Sequence, residues 1–317
     1  MDTAKSKLRA VVLGHAIGDA LGVPVEFSGR ERLSEDPVVD MRGFGTYPYP
    51  AGTWSDDTSL ALAALDSLAT GRWALCDVMK RFGAWYYRDA YTPTGKLFDV
   101  GSTSAAAIDR YFREGKPVTE CGLTDEWSCG NGSLLRIHPF SFLAWYHPGI
   151  REEWEARIDE ASALTHAHGR AQLACRLYTL LLLRLLEAPC RDTVRSALGE
   201  AASRYRGHRE GEHFARLFSP SFAELPPEAI KSSGYAVDTL EAAVYCLLTT
   251  DSYRACVLKA VNLGEDTDTV AAVAGGLAGA LYGYAALPRE WLRTLKRRRY
   301  IEGLCDRVCT AWESNGK

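Results

Sequence analysis

The sequence predicts an all-α protein, a compact orthogonal multi-helix bundle forming one domain over residues 1–317. Three observations predict it. Apolar residues recur three and four positions apart in segment after segment, which is the helical period. Convincing alternating strands are absent. Two acidic clusters of the same design, Ser55-Asp56-Asp57-Thr58 and Glu265-Asp266-Thr267-Asp268-Thr269, lie about 210 residues apart, and a shared site would demand one compact body.

The helical segments, in order, are 5–22, 58–70, 75–90, 103–113, 152–165, 169–187, 192–206, 235–249, 252–262, 268–284 and 288–314. The first is stopped by Pro24, which cannot continue a helix. Gly and Pro punctuate the gaps, as in 44–52 and 220–227. The greasiest stretch, 177–186, is interrupted by Arg184 and is too short to span a bilayer, so it is expected as a buried core helix. Residues 271–280 are almost all Ala and Gly, too small-sided for a surface helix. Glycine inside a helix costs up to about 1 kcal/mol relative to alanine. That cost is offset if neighbouring backbones pack close, so this helix is expected to run through the centre. The basic run 296–299 is expected on the solvated face of the last helix.

Composition narrows the function classes. With 47% hydrophobic and 24% charged residues, the chain has the profile of a soluble globular protein. A formal charge of −3 gives no global attraction to nucleic acid or to an anionic membrane, so neither is expected as a partner. Nine cysteines without paired spacing argue against a disulfide framework and for a reduced, cytoplasmic protein. Gly14, His15, Gly18 and Asp19 interrupt the apolar N-terminal stretch, unlike a signal peptide.

The acidic clusters carry the chemistry. Each opens an apolar run and so stands at a helix start, where free N–H groups and the macrodipole favour negative charge. Simple N-capping accounts for either one alone. Several carboxylates in one turn still repel one another unless a cation sits between them. Two such turns together would make an all-oxygen site suited to Mg²⁺ or Mn²⁺. Asp19 is expected to tie helix to loop. Glu26, between Val25 and Phe27, is either a shielded structural partner or a functional carboxylate.

Two glycine-hydroxyl turns precede helices: Asp99-Val100-Gly101-Ser102-Thr103-Ser104 and Cys129-Gly130-Asn131-Gly132-Ser133. Bare N–H groups at such turns can cradle phosphate oxygens, and beside a metal site they suggest a diphosphate ligand. Neither is a P-loop. His166 sits at a helix junction, where a core or capping role is usual. Tyr235 at a helix start would by itself pack on the core, although its ring could also face a base.

In this order, these pieces resemble the ADP-ribosylglycohydrolase family, which includes ADP-ribosylarginine hydrolases and dinitrogenase-reductase-activating glycohydrolases. The resemblance runs from Gly14 to about Gly283 and includes Gly18-Asp19-Ala20-Leu21-Gly22, Gly52-Thr53-Trp54-Ser55-Asp56-Asp57-Thr58, Gly130-Asn131-Gly132-Ser133 and Gly264-Glu265-Asp266-Thr267-Asp268-Thr269. It implies a binuclear metal site in a central cleft, with two Mg²⁺ or Mn²⁺ ions held by Ser55, Asp56, Asp57, Asp266, Asp268 and Thr269. Family members often have Thr where Ser55 stands; the hydroxyl is kept. It implies that Gly101, Ser102, Thr103, Asn131, Gly132 and Ser133 receive diphosphate and ribose, that His166 faces the ligand, and that Tyr235 stacks on adenine rather than on the core. The implied activity is hydrolysis of the N-glycosidic bond between ADP-ribose and a modified side chain, arginine first. Asp99 is the expected acid/base, with Glu26 as a gate or metal-bridging group. Serine-, nucleobase- or O-acyl-linked ADP-ribose are the alternative substrates, and a non-catalytic ADP-ribose binder or toxin-immunity protein is the alternative class. The implied partners are an ADP-ribosylated protein and a cognate ADP-ribosyltransferase.

Overall fold

The structure is a computed structural model that describes residues 3–313. Among them are fifteen α-helices. The first half holds α1 (Ala4–Gly22), α2 (Arg30–Glu35), α3 (Asp56–Leu68), α4 (Leu75–Arg88), α5 (Ser102–Phe112), α6 (His138–Tyr146) and α7 (Pro148–Arg151). The second holds α8 (Trp154–Ala163), α9 (Gly169–Glu187), α10 (Arg191–Arg204), α11 (Ala236–Leu248), α12 (Tyr253–Val261), α13 (Thr267–Tyr282), α14 (Arg289–Thr294) and α15 (Arg298–Glu313). No strand occurs among the described residues, only the isolated bridges Leu123–His166 and Gly130–Tyr235. The all-α expectation holds.

The centre is the antiparallel pair α1 and α13. Gly14, Gly18 and Gly22 lie four apart on one face of α1, and each meets α13 backbone. A Cβ on Gly14 would lie 2.5 Å from the Gly275 carbonyl oxygen, and one on Gly18 would lie 2.0 Å from that of Ala271. No side chain fits there, which is why the Ala/Gly run of α13 is small. A side chain on Gly276 would likewise collide with the Tyr178 hydroxyl of α9, 2.5 Å away. α1 is long and apolar enough to cross a membrane, yet most of it is buried inside this bundle.

Two expectations are corrected. Segment 288–314 is not one helix but α14 and α15, separated by Leu295, which is extended, and Arg297, which has φ +52°. The break lets the incoming chain dock: Lys296 N–H donates to the Gly52 carbonyl at 2.9 Å, and the Trp54 indole donates to the Lys296 carbonyl at 3.0 Å. The basic run is therefore split between the break and the start of α15 instead of lying on one helix face. The predicted end at 314 lies outside the described residues. α6 is the second departure. It is buried on nearly all sides, so it shows no amphipathic period to detect.

Candidate active site

Asp19 organises the first acidic turn. Buried on α1, it accepts the Ser55 amide at 2.9 Å, the Thr58 amide at 3.0 Å and the Thr58 hydroxyl at 2.6 Å. It thereby satisfies donors at the start of α3, the structural role expected of it. Ser55 is the N-cap, its hydroxyl accepting the Asp57 amide at 3.3 Å. Asp56 and Asp57 form the first turn of α3, and Asp268 and Thr269 the first turn of α13, with Asp266 as its N-cap.

The two turns meet. The Thr269 hydroxyl donates to Asp57 Oδ2 at 3.3 Å, across 212 positions of sequence. Asp266 is held by the Asn131 amide, which donates to its Oδ2 at 2.8 Å. Glu26 enters from the turn after Pro24. Phe27 N–H donates to the Glu265 carbonyl and Glu265 N–H to that of Ser28, both at 2.8 Å, pinning this turn to the second cluster. Carboxylate oxygens of Glu26, Asp266 and Asp268 lie within 4.8 Å of one another.

The electrostatics are those of a cation site. Glu26 Oε2, Asp57 Oδ1 and Asp268 Oδ2 are buried without a hydrogen-bond partner, which is costly for charged oxygens. Among the described residues, no Lys or Arg pairs with Asp56, Asp57, Asp266 or Asp268. Burial and then neighbouring carboxylates push Asp56, Asp57 and Asp268 well above the usual range. Burial and Asp99 raise Glu26 to about 8; burial and Asp266 raise Asp99 to about 6. A divalent ion would remove both penalties, so the donor set fits a hard cation.

Above this floor is a cleft of about 330 Å³, lined by Glu26, Asp56, Asp99, Gly101, Ser102, Thr103, Asn131, Gly132, His166, Asp266 and Thr269. A larger hollow around Tyr205 and Phe218 brings no such convergence of carboxylates. Ser55, Asp57 and Asp268 lie buried at the helix starts beneath the cleft. Gly101 caps α5 without a side-chain hydrogen bond, leaving its first N–H groups for a ligand. His166 is buried, with Nδ1 2.8 Å from the Thr165 hydroxyl; burial, then Arg136, lowers it to about 3, so the ring is neutral. Gly132 gives it room: a Cβ there would stand 2.6 Å from the His166 ring. The Ser133 hydroxyl is paired with Ser162 and Cys175 in the core and is not part of the lining. Tyr235 is half-buried beside the lining residue Gly234, its ring 5.8 Å from the Arg170 guanidinium.

Sequence reasoning missed Tyr47. Its hydroxyl stands beside both the Glu26 and the Asp99 carboxylates and offsets part of the rise in each. Its ring packs on Phe98 at 5.0 Å, and Tyr49 packs on the same ring at 4.5 Å. Thr46 fastens this loop down, its amide donating to the Pro24 carbonyl and its hydroxyl to the Glu26 carbonyl, both at 2.8 Å. In the sequence Tyr47 is one residue of a Gly/Pro stretch, and no spacing marks it out.

A helical bundle whose two acidic helix starts meet beneath a cleft rimmed by glycine turns defines a class: an α-helical protein with an all-oxygen donor set suited to hard cations. Known proteins give that class a family. The family model for ADP-ribosylglycohydrolase matches residues 1–317. The chain is 32% identical over 304 residues to the ADP-ribosylarginine hydrolase Tri1 of Serratia proteamaculans, covering 95% of this chain and 78% of that one. It is 32% identical over 286 residues to the ADP-ribosyl-[dinitrogen reductase] glycohydrolase of Rhodospirillum rubrum, covering 89% and 88%. A solved structure described as an ADP-ribosylglycohydrolase-related protein complex superposes with TM-score 0.82 at 31% identity, covering 98% and 99%. This chain belongs to the ADP-ribosylglycohydrolase family and is a hydrolase.

Proposed function

We propose that this protein removes ADP-ribose from arginine side chains of modified proteins, using two divalent cations, Mg²⁺ or Mn²⁺. The observation that carries the reading is the meeting of the α3 and α13 first turns, with Asp57 and Asp268 oxygens left unpartnered beneath the cleft. Both relatives above act, by name, on ADP-ribosylated substrates, and one on arginine. Ser55, Asp56, Asp57, Asp266, Asp268 and Thr269 would hold the ions, with Glu26 bridging or gating them. Bound there, the ions would supply positive charge to orient ribose hydroxyls and activate water.

The chain's own groups do the rest. The open N–H groups at the start of α5, with Gly101, Ser102 and Thr103, receive diphosphate oxygens, and Asn131 and Gly132 shape the second turn against the ribose while Ser133 anchors that turn to the core. Neutral His166 offers a hydrogen bond from the cleft wall. Tyr235 stacks on adenine with Arg170 behind its ring. Hydrolysis breaks the bond from the anomeric carbon to the guanidine nitrogen through an oxocarbenium-like state, and water oxygen takes the carbon. Asp99, lining the cleft, can take the water proton, and the leaving nitrogen recovers one. Unpaired carboxylates at the mouth also complement a guanidinium.

The nine cysteines are free thiols, which supports a reducing, cytoplasmic setting. A cognate ADP-ribosyltransferase would supply the substrate. The test is ADP-ribose release from an arginine-ADP-ribosylated protein in Mg²⁺ and in EDTA. Release only with metal supports the reading; no release with Mg²⁺ would overturn the arginine assignment.

A further inference from the structure

Two large aromatic side chains project from the loops that hold Glu26. Phe27 is 71% exposed and Phe44 is 73% exposed. Both have left-handed backbone, with φ +63° and +58°. For a bulky residue that conformation is uncommon and strained. A single exposed aromatic needs no explanation. Two, each also in a left-handed conformation, on the two loops that hold one buried carboxylate do.

The two loops form one rim. Gly45, next to Phe44, lies against the Pro24 carbonyl so closely that a Cβ would stand 1.7 Å from its oxygen. Thr46 bonds to Pro24 and to Glu26. Phe44 N–H donates to the Tyr49 carbonyl at 2.7 Å, and Phe27 N–H to that of Glu265 at 2.8 Å. Both rings are therefore presented from loops already locked by hydrogen bonds, so binding would not have to order them. Phe27 lines the cleft mouth itself. The acidic residues lining the cleft with Phe27 are Glu26, Asp56, Asp99 and Asp266. Apolar rings set among unpaired carboxylates suit a polypeptide with a basic residue at its centre, since aromatic faces attract guanidinium and act as interface anchors.

We propose that Phe27 and Phe44 form a docking rim for the polypeptide surrounding the modified arginine, an inference that rests on the arginine reading above. Phe27 faces the arginine stem as it leaves the cleft, and Phe44 packs on the flanking residues of the target protein. The rim selects protein-linked ADP-ribose over the same linkage on a small molecule.

The test compares two substrates in Mg²⁺: ADP-ribosyl-agmatine, which has no polypeptide, and arginine-ADP-ribosylated actin. Phe44→Ser is expected to raise KM on modified actin by roughly fivefold or more, as loss of an interface aromatic does. Turnover of ADP-ribosyl-agmatine should stay within about twofold, and Phe44→Leu should recover much of the loss on actin. Equal loss on both substrates, or none on actin, would overturn the rim. So would a homodimer that Phe44→Ser dissociates, because a second copy would then be the occupant. If the unaltered enzyme releases ADP-ribose from neither substrate, the arginine reading fails and this inference falls with it.

Discussion

Gly22, the last residue of α1, stands against the backbone of Asp268. A Cβ on it would lie 2.3 Å from the Asp268 Cα and from its amide nitrogen. The close approach sets the second acidic turn beside the helix that also carries Asp19, and Asp19 in turn holds the first acidic turn. One helix thus positions both halves of the site.

Gly22→Ala should consequently injure fold and site together. The added methyl meets backbone, which cannot rotate away, so a loss of about 3 kcal/mol is expected, at the upper end for overpacking. Urea unfolding measures it. An unchanged midpoint would show that α13 can shift freely, and the α1–α13 contact would then not set the site.

Asp57→Ala and Asp268→Ala are expected to abolish ADP-ribose release by removing cation donors. Each should also raise the melting temperature of the metal-free protein, because a buried, unpartnered carboxylate oxygen disappears. Calorimetry in EDTA reads the second effect. Full activity in either variant would contradict the two-cation reading.

The metal-free protein should lose stability as pH rises. Asp19, Glu26 and Asp99 are raised to about 7, 8 and 6, chiefly by burial. A group raised in the folded state binds its proton more readily there than in the unfolded chain. Its stabilising contribution is complete below the ordinary carboxylate pKa near 4 and is lost as pH climbs through 6 to 8. A fall in melting temperature of roughly 5 °C from pH 5 to pH 8 is expected in EDTA. Mg²⁺ binding displaces protons, so its stabilising shift should grow over the same range. A Mg²⁺ shift that shrinks with pH would contradict this account.

Asp99→Asn should cut turnover by about a hundredfold or more, as loss of an acid/base group does, while ADP-ribose binding survives. Unchanged turnover would move the acid/base role to Glu26. Tyr47→Phe keeps the ring packed on Phe98 and deletes only the hydroxyl beside the two carboxylates. Its expected signature is a fall in kcat of about tenfold at constant KM, with a displaced pH profile. A change confined to KM would place Tyr47 in binding instead.

Asp19→Asn keeps the shape of the side chain but replaces one accepting oxygen with a donor facing the Ser55 or Thr58 amide. A cost of about 1–3 kcal/mol is expected from the unsatisfied donors at the start of α3. Chemical denaturation checks it, and no change would mean that Ser55 alone suffices as cap.

Much of this protein is legible in one dimension. The helical period, the acid-rich first turns of α3 and α13, and the small side chains of α13 are local signals, because a helix repeats every 3.6 residues and free N–H groups attract carboxylates wherever a helix begins. The sequence therefore determined the all-α class, the cation-donor types and the glycine turns. Tertiary structure decided what depends on partners. It chose α1 as the helix that α13 needs, turned the Ser133 hydroxyl toward Ser162, placed Tyr47 between Glu26 and Asp99, and broke the last helix so that Lys296 could meet Gly52. Each of these is a contact between residues 20 or more positions apart, and a local period carries no information about which distant surface will close against it.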